Sequence, residues 1–460
     1  MKYLNLNLRV IMLALIPIFY SCNERADTGQ VSAEETPIVQ EVPLAEKAKN
    51  MTVYEVNIRQ YTPEGTFNAF STHLPKLKEL GIELLWIMPI HPVGEKNRKG
   101  TLGSYYSVKD YRAVNPEFGT LDDFKKLLEE AHKLGMYVIL DWVPNHTSWD
   151  NAWITEHPEY YAQDEHGNVV YEADWTDIAL LNHHNPETRR AMIDAMEYWV
   201  TETDIDGFRC DHAGHEIPLY FWEESMGRLN AHRDLFWLAE WDEPRMHLEF
   251  DATYNWELHH ITNRVAKGEN NVEDIRNYIQ HDLDRYGLKA YRLNFATNHD
   301  ENSWSGTVFE RYGEGHKANA LLMFTINGLP MIYSGQEAGM KKRLQFFEKD
   351  TINWTDPDNV RDFYTKLVRL RKENKALWSG DFGGMIKFID TGNDRVIAFY
   401  REKGDNKVTV VINLDGKGQQ VVINKNLAGI HAEYFSETQV EWTAGSSVAV
   451  KPLQYFVFIE

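Results

Sequence analysis

Three carboxylates that follow short apolar runs are the residues best suited to chemistry in this sequence of 460 residues. Asp211 and Glu240 come directly after the runs 207–210 and 235–239, and Asp300 lies shortly after a third run. Barrel enzymes built from parallel strands place their chemistry at these strand ends. Paired carboxyl groups cleave glycosidic bonds, one as nucleophile or base and the other as general acid. We therefore predict a glycosidase site.

Charged and aromatic neighbours adapt these carboxylates to different roles. Arg209 precedes Asp211 by two positions, so both side chains point to the same side of a strand. The positive charge keeps Asp211 ionised, as a nucleophile requires. Glu240 is flanked by Trp241, and an apolar environment raises the pKa of a carboxyl group enough for it to act as a general acid. His299, beside the third carboxylate, could bind adjacent hydroxyls of one sugar.

From residue 51 the sequence alternates strand-like and helix-like segments, a pattern typical of a (β/α)8 TIM barrel. We place the barrel at residues 51–375, with a short loop excursion at 147–183 after the third strand. The expected strands are 53–58, 84–90, 137–143, 207–210, 235–239, 250–254, 293–297 and 331–334.

After the barrel, residues 376–460 form short strand-like segments separated by Gly, Asn and Asp, which indicates an antiparallel β-sandwich domain. Its function is open between two readings. The domain could cover the flank of the barrel, the reading that we favour, or it could bind glycan through Trp378, Tyr434 and Trp442.

The composition excludes several partners. The net charge of −21 argues against nucleic acids and against anionic membrane surfaces. Residues 1–22 have a basic start, an apolar run and Ser-Cys, and they resemble the signal peptide of a Gram-negative lipoprotein. Cys22 would then carry the lipid, and the polar residues 23–50 would be a flexible tether. We expect attachment to the cell envelope at the outer membrane, on either its periplasmic or its outer face.

The ordered set of motifs resembles the α-amylase family of glycoside hydrolases, family 13, over about residues 51–460. The matching segments are Asp141 to His146, Gly207 to Asp211, Ala239-Glu240, residues 298–300, Tyr106 to Tyr111 with residues 118–120, and Gly328 to Glu337. The resemblance implies a retaining hydrolase of α-1,4-glucans such as starch, glycogen or maltooligosaccharides.

The resemblance also implies roles for individual residues. Asp211 would attack the anomeric carbon, Glu240 would be the acid and base, and Asp300 would bind sugar hydroxyls in the distorted state. Substrate-binding positions are matched by Tyr106, His146, Arg209, His215 and His299. In many relatives a Lys precedes the His at position 215, but this sequence has Gly214 there. This substitution puts binding on the acceptor side, which receives the leaving-group sugar, in question.

No cofactor is required by the sequence. Calcium, which many α-amylases bind, is possible, but its usual ligand pattern is incomplete because Leu180 stands where an Asp is expected and only Asn145 remains. The alternatives within the family are a cyclomaltodextrinase or neopullulanase, an α-glucosidase and an α-glucan transglycosylase. A non-catalytic glycan-binding or membrane-anchored barrel is less favoured because all three carboxylates are present. The pattern indicates no oligomeric state.

Overall fold

A computed structural model describes residues 42–460, and its central feature is a closed barrel of eight parallel strands. The barrel confirms the predicted fold class, and each strand lies within a few residues of its expected position. In chain order the strands are Val53–Val56, Leu84–Ile87, Tyr137–Trp142, Gly207–Cys210, Phe236–Ala239, Ala252–Tyr254, Tyr291–Asn294 and Leu329–Tyr333.

The barrel interior has two chemically different ends. At the amino-terminal end, Val53 pairs with Leu84 in a wholly apolar cluster. Two residues further along several strands, the side chains that point the same way include charged groups, because alternate residues of a strand share a face. Glu55, Asp141 and Arg209 are there, each fully buried. The carboxyl end of the barrel is therefore where the interior contains charge.

Helices surround the barrel, and none within residues 42–460 is long and apolar enough to span a bilayer. Two short helices precede the second strand, and Pro75 lies in the first turn of the second of them, where a helix tolerates proline. The longer helices are Phe67–Ser71, Leu74–Leu80, Leu121–Lys133, Pro186–Glu202, Leu219–Leu229, Trp256–Ala266, Val272–Tyr286, Val308–Tyr312, His316–Thr325 and Val360–Glu373. Single turns lie at Ile58–Tyr61, Pro244–Leu248, Glu301–Ser305, Gly313–Gly315, Gln336–Ala338, Lys375–Leu377 and Gly380–Phe382.

The expected tether is wrong at its carboxyl end. Residues Leu44–Lys47 are helical and Ala48–Asn50 form a 3-10 turn. Leu44 and Ala48 are buried in the same apolar cluster as the amino-terminal ends of the barrel strands. Ordered structure therefore includes residues 42–50, because their apolar side chains close the bottom of the barrel. The predicted signal peptide, Cys22 and the remainder of the tether lie outside the described residues.

The excursion after the third strand has structure of its own. Strands His146–Ser148 and Ile178–Leu180 pair in antiparallel fashion and bring its two ends together. Short helical turns at Trp153–Glu156 and Pro158–Tyr160 lie between these strands. The excursion is thus a small pinned unit beside the barrel mouth.

The carboxyl-terminal domain is antiparallel, as predicted. One four-stranded sheet contains Lys387–Ile389, Val396–Lys403, Asn406–Asn413 and Tyr455–Ile459, and two hairpins pair Gln419–Val422 with Ser447–Val450 and Gly429–Ala432 with Gln439–Trp442.

The three aromatics proposed as a glycan surface have structural contacts instead. Trp442 is buried, Trp378 donates to the carbonyl of Lys372, and Tyr434 donates to the carbonyl of Lys366. The structural reading of the domain is therefore the better supported one.

Two buried arginines join the barrel to this domain. Arg371 and Arg401 are fully buried, and among the described residues neither pairs with a carboxylate. Burial lowers the pKa of Arg371 to about 9 and that of Arg401 well below its usual value. Both donate mainly to main-chain carbonyls. The guanidinium of Arg401 donates to five of them, those of Thr325, Ile326, Leu377, Trp378 and Gly384.

Arg401→Met should lower the free energy of unfolding by about 3 kcal/mol or more, because each buried carbonyl left without a donor costs about 1 kcal/mol. Urea unfolding followed by tryptophan fluorescence measures the loss. Arg369→Met is the control, since Arg369 is 66% exposed and, among residues 42–460, forms an ion pair with Glu373 alone. Equal effects of the two substitutions would contradict a structural role for Arg401.

Candidate active site

Arg209 is the centre of the candidate site. Its guanidinium is fully buried, and one nitrogen, Nη1, lies 2.9 Å from Asp141 Oδ1 and 3.0 Å from Asp211 Oδ1. The other, Nη2, lies 2.9 Å from Glu240 Oε2. The fourth and fifth strands pair in register through Arg209 and Leu238, which places Asp211 and Glu240 side by side at adjacent strand ends. One cation therefore contacts three carboxylates.

Asp211 and Glu240 act as a coupled pair. Burial and the neighbouring Glu240 carboxyl raise the pKa of Asp211 well above its ordinary value, and Arg209 opposes this increase. Two adjacent buried carboxyl groups cannot easily both be charged, so their proximity favours a state in which one of them is protonated. One ionised and one protonated carboxyl group is the state that a retaining glycosidase needs.

His299 connects the third carboxylate to the barrel interior. Its Nδ1 lies 2.5 Å from Glu55 Oε1 and its Nε2 lies 3.3 Å from Asp300 Oδ2. Burial alone would lower the pKa of His299, but these two carboxylates raise it well above its usual value. The imidazolium in turn lowers the pKa of Asp300, against the effect of burial. Asp300 is therefore held ionised at the cavity surface.

Tyr106 and His146 complete the polar lining. The Tyr106 hydroxyl donates to Asp141 Oδ2 at 3.0 Å and lies 2.9 Å from His299 Nε2. His146 is buried, and burial lowers its pKa to about 3, so its imidazole is neutral. Its Nε2 donates to the carbonyl of Tyr106 at 3.1 Å. Both rings are thus fixed before any ligand arrives.

Two cavities meet at these groups. The main cavity has a volume of about 620 Å³ and the side cavity about 410 Å³, and both are lined by His212, Glu240 and Asp300. The main cavity adds polar groups and an aromatic wall: Lys99, Ser104, Tyr106, His146, Asp174, Trp175, Asp177, Ile178, Asp211, His299, Trp304, Phe346 and Phe347. The side cavity adds Trp241, Asp242, Glu243 and Trp256.

Most of the residues predicted from the sequence come together here. The carboxylates Asp211, Glu240 and Asp300 line the main cavity, and Arg209 is buried beneath them. The predicted substrate-binding residues Tyr106, His146 and His299 line the same cavity. His215 is the exception, because it lines neither cavity. Its Nε2 pairs with Glu172 of the excursion at 2.8 Å, so it holds this loop rather than facing the cavity.

Several lining residues on loops are not predicted from the sequence. His212, Trp175 and Trp304 stand at the cavity mouth, and Trp175 packs edge-on against His212 at 5.1 Å. The only available signal was that His212 follows the predicted nucleophile. Its left-handed backbone, with φ of 47°, could not be read from sequence.

The position considered for calcium offers few ligands. Leu180 supplies no side-chain oxygen, and the carbonyl of Asn145 accepts from the amide of Leu181. Between residues 42 and 460 no group of three or more His, Cys, Asp or Glu side chains is arranged to hold a metal ion. Because calcium also accepts amide and main-chain oxygens, its absence stays a prediction.

Comparison with known proteins identifies the class and then the family. The sequence pattern of the α-amylase catalytic domain matches residues 25–176 and 162–363, and that of the maltogenic amylase carboxyl-terminal domain matches residues 386–457. The protein is a glycoside hydrolase by fold and relatives. The chain belongs to the α-amylase family.

Individual relatives are moderately similar. α-Amylase 2 of Dictyoglomus thermophilum is 28% identical over 81% of this chain and 67% of its own length. An α-1,4-glucan:maltose-1-phosphate maltosyltransferase of Salinibacter ruber is 25% identical over 88% and 68%. The crystal structure of a maltogenic α-amylase from Thermotoga neapolitana is 30% identical, with a TM-score of 0.82 over 90% of this chain and 99% of that one. The chain spans about two thirds of the first two relatives.

Glu55→Gln tests whether the carboxylate of Glu55 keeps His299 protonated and, through it, Asp300 ionised. The substitution keeps the size of the side chain but removes one of the two carboxylates that raise the pKa of His299, so that pKa should fall. His299 then loses its proton at lower pH, and the alkaline limb of the pH profile of kcat/KM should move to lower pH.

Glu337→Gln is the matched control, because Glu337 is equally buried but accepts from Tyr54 outside the site. Its pH profile should match that of the wild type. An unchanged alkaline limb in Glu55→Gln would contradict this influence of Glu55 on His299.

Proposed function

We propose that this protein hydrolyses α-1,4-glucosidic bonds of starch, glycogen or maltooligosaccharides with retention of the anomeric configuration. The observation that carries the proposal is the contact of Arg209 with both Asp211 and Glu240. We assign the role of nucleophile to Asp211 and the role of general acid and base to Glu240, as the resemblance to the family implies.

The reaction has two steps with balanced proton transfers. The Asp211 carboxylate attacks the anomeric carbon while Glu240 gives its proton to the departing glycosidic oxygen, and a glycosyl ester forms. Glu240, now ionised, takes a proton from water, and the resulting hydroxide attacks the same carbon and releases Asp211. Arg209 contacts both carboxyl groups and stabilises the charge as it passes from one to the other.

The remaining polar groups hold the reacting sugar. Asp300, kept ionised by His299, accepts from sugar hydroxyls and favours the distorted ring. Tyr106 and His146 lie in the same cavity wall, each already oriented by its hydrogen bonds. Such preorganised groups stabilise a transition state without reorganisation.

The charge of the side cavity favours a neutral sugar as leaving group. Asp242 and Glu243 line it with Glu240 and Asp300, and no Lys or Arg is among its lining residues. A phosphate would be repelled there. This argues against the maltose-1-phosphate chemistry in the name of the Salinibacter ruber relative.

The alternatives within the family are a cyclomaltodextrinase or neopullulanase, an α-glucosidase and an α-glucan transglycosylase. These activities share the barrel and its carboxylates and differ in the loops around the active site. A non-catalytic binder is disfavoured because all three carboxylates are in place.

The carboxyl pair is tested with maltoheptaose. The wild type should release short maltooligosaccharides in the α-form, detected by NMR at early times, and Asp211→Asn should lose at least about 10³-fold in kcat because no ester can form. A single small product, or products longer than the substrate, would favour an exo-acting hydrolase or a transglycosylase. β-Anomers, or substantial turnover by Asp211→Asn, would contradict the assignment of Asp211.

Glu240→Gln completes this test. It should lose several orders of magnitude on maltoheptaose but much less on α-maltosyl fluoride, because fluoride leaves without a proton. Equal losses on both substrates would count against the role of Glu240 as general acid.

We further propose that the protein is exported and anchored in a Gram-negative cell envelope through lipid on Cys22. The support is the signal-like sequence of residues 1–22. Cys22→Ala should move the protein from the membrane fraction to the soluble fraction, as measured by ultracentrifugation and immunoblotting, with Cys210→Ala as the control. Continued membrane association of Cys22→Ala would indicate an uncleaved signal anchor.

A further inference from the structure

A cleft lies on the flank of the barrel, where the barrel meets the carboxyl-terminal domain. Its inner half has a volume of about 150 Å³ and its outer half about 220 Å³. The residues that line it are all different from those of the main and side cavities. Several residues line both halves, so the halves form one groove, which we call the seam cleft. The shared residues are Val265, Ala266, Leu414 and Gly416.

Both parts of the fold build the seam cleft. The barrel contributes the helices Trp256–Ala266 and Val272–Tyr286, and the domain contributes the loop after strand Asn406–Asn413. The cleft therefore exists because the domain covers this flank. The side chains of the inner half are apolar or polar but all uncharged: Val265, Ala266, Ile275, Leu414 and Leu453, with Thr262, Tyr312 and Asn319.

Asn319 indicates that the inner half takes a ligand. Its side chain lines this half and is only 4% exposed, yet its Oδ1 is buried without a hydrogen-bond partner among residues 42–460. Native proteins pair almost all such groups, because an unpaired buried amide carries a free-energy penalty. An unpaired amide beside a cavity points to a ligand that supplies the missing partner.

The inner half suits one uncharged sugar ring. A cavity of about 150 Å³ in another protein binds benzene, so there is room for a six-membered ring. The apolar walls match the C–H faces of a pyranose, and the amide of Asn319 can bond with its hydroxyls. The hydroxyl of Tyr312 can do the same, because its contact with Thr262 Oγ1 is long, at 3.4 Å.

The outer half offers hydrogen bonds of both kinds to a second sugar. Lys267 and Arg395 are donors there, and Asp394 and Asp415 are acceptors. Two cations and two anions balance, which disfavours an ionic ligand in this half. A hydroxyl group can both donate and accept, so a sugar unit linked to the first one matches this lining.

The seam cleft and the side cavity lie at the two ends of one helix. Trp256, at the start of helix Trp256–Ala266, lines the side cavity, whereas Val265 and Ala266, at its end, line the cleft. Because a helix rises 1.5 Å per residue, about 15 Å separates these ends. A chain held in the cleft would therefore remain close to the catalytic cavities.

We propose that the seam cleft is a second carbohydrate-binding site, which holds one or two glucose units of an α-glucan on the flank of the barrel. It keeps a long polymer attached while another part of the same polymer enters the catalytic cavities. The choice of glucose units rests on the proposed function, whereas the site itself is independent of the catalytic carboxylates.

Gly416→Trp tests the effect of the cleft on polymer hydrolysis. A Cβ atom built on Gly416 faces open space, with the rest of the described chain more than 4 Å away, so the indole can fill the cleft without a clash. The variant should lose about tenfold or more in kcat/KM on soluble starch, because attachment at two sites is reduced to one. On α-maltosyl fluoride, whose two sugars cannot span both sites, kcat/KM should change less than about twofold.

Gly227→Trp is the matched control. Gly227 is exposed on helix Leu219–Leu229, outside the cleft, and a Cβ atom there also faces open space. Its kinetics on both substrates should match those of the wild type.

Asp211→Asn allows binding to be measured without turnover. The methyl groups of Ile275, Leu414 and Leu453 line the cleft, so ¹³C-methyl NMR detects a ligand at that place. Added maltose should shift these signals to saturation. Asn319→Leu, made in the same background, should abolish the shifts and raise the thermal midpoint of the unliganded protein, because it removes an unpaired polar group.

The outcomes separate this site from the proposed function. Methyl signals that maltose leaves unchanged would overturn the second site, and so would equal losses on starch and α-maltosyl fluoride in Gly416→Trp. If the wild type hydrolysed neither substrate, the proposed function would fail. Saturable shifts that disappear in Asn319→Leu would still establish the cleft as a sugar-binding site.

Discussion

The buried guanidinium of Arg209 is the interaction on which the candidate site depends. A charge transferred from water to a protein interior costs several kcal/mol unless it is well paired. Here the cation meets Asp141, Asp211 and Glu240 within 3.0 Å, which leaves the cluster with an excess of negative charge. Burial and this excess raise the pKa of Asp211, and Arg209 opposes the increase. The buried arginine therefore limits how far the carboxyl groups at the site move from their ordinary behaviour.

Two other buried arginines, Arg371 and Arg401, have a structural role. Arg371 and Arg401 donate mainly to main-chain carbonyls, and burial lowers the pKa of each. Within residues 42–460 no carboxylate forms an ion pair with either of them. They join the barrel to the carboxyl-terminal domain, whereas Arg209 contacts three acids of the candidate site. The pairing of a buried charge thus decides whether it is structural or chemical.

The sequence predicts the barrel and its carboxylates because both are encoded locally. Apolar runs define the strands, and strand ends place Asp211, Glu240 and Asp300 on one rim whatever the loops do. The partners of His215 and Glu55 could not be predicted. Glu172 lies 43 residues before His215 and Glu55 lies 244 residues before His299, so only the folded chain shows that they touch. The ordered structure of residues 42–50 could not be predicted because only a few apolar side chains, those that close the barrel, stand among polar ones.

The loops whose contacts could not be predicted are also those that line the two cavities. In the proposed mechanism, Glu240 deprotonates the molecule that attacks the glycosyl ester, so water gives hydrolysis and a sugar gives transfer. The groups that favour one acceptor over the other lie on these loops. The motifs at the strand ends therefore define the family and its chemistry but do not separate its hydrolases from its transglycosylases.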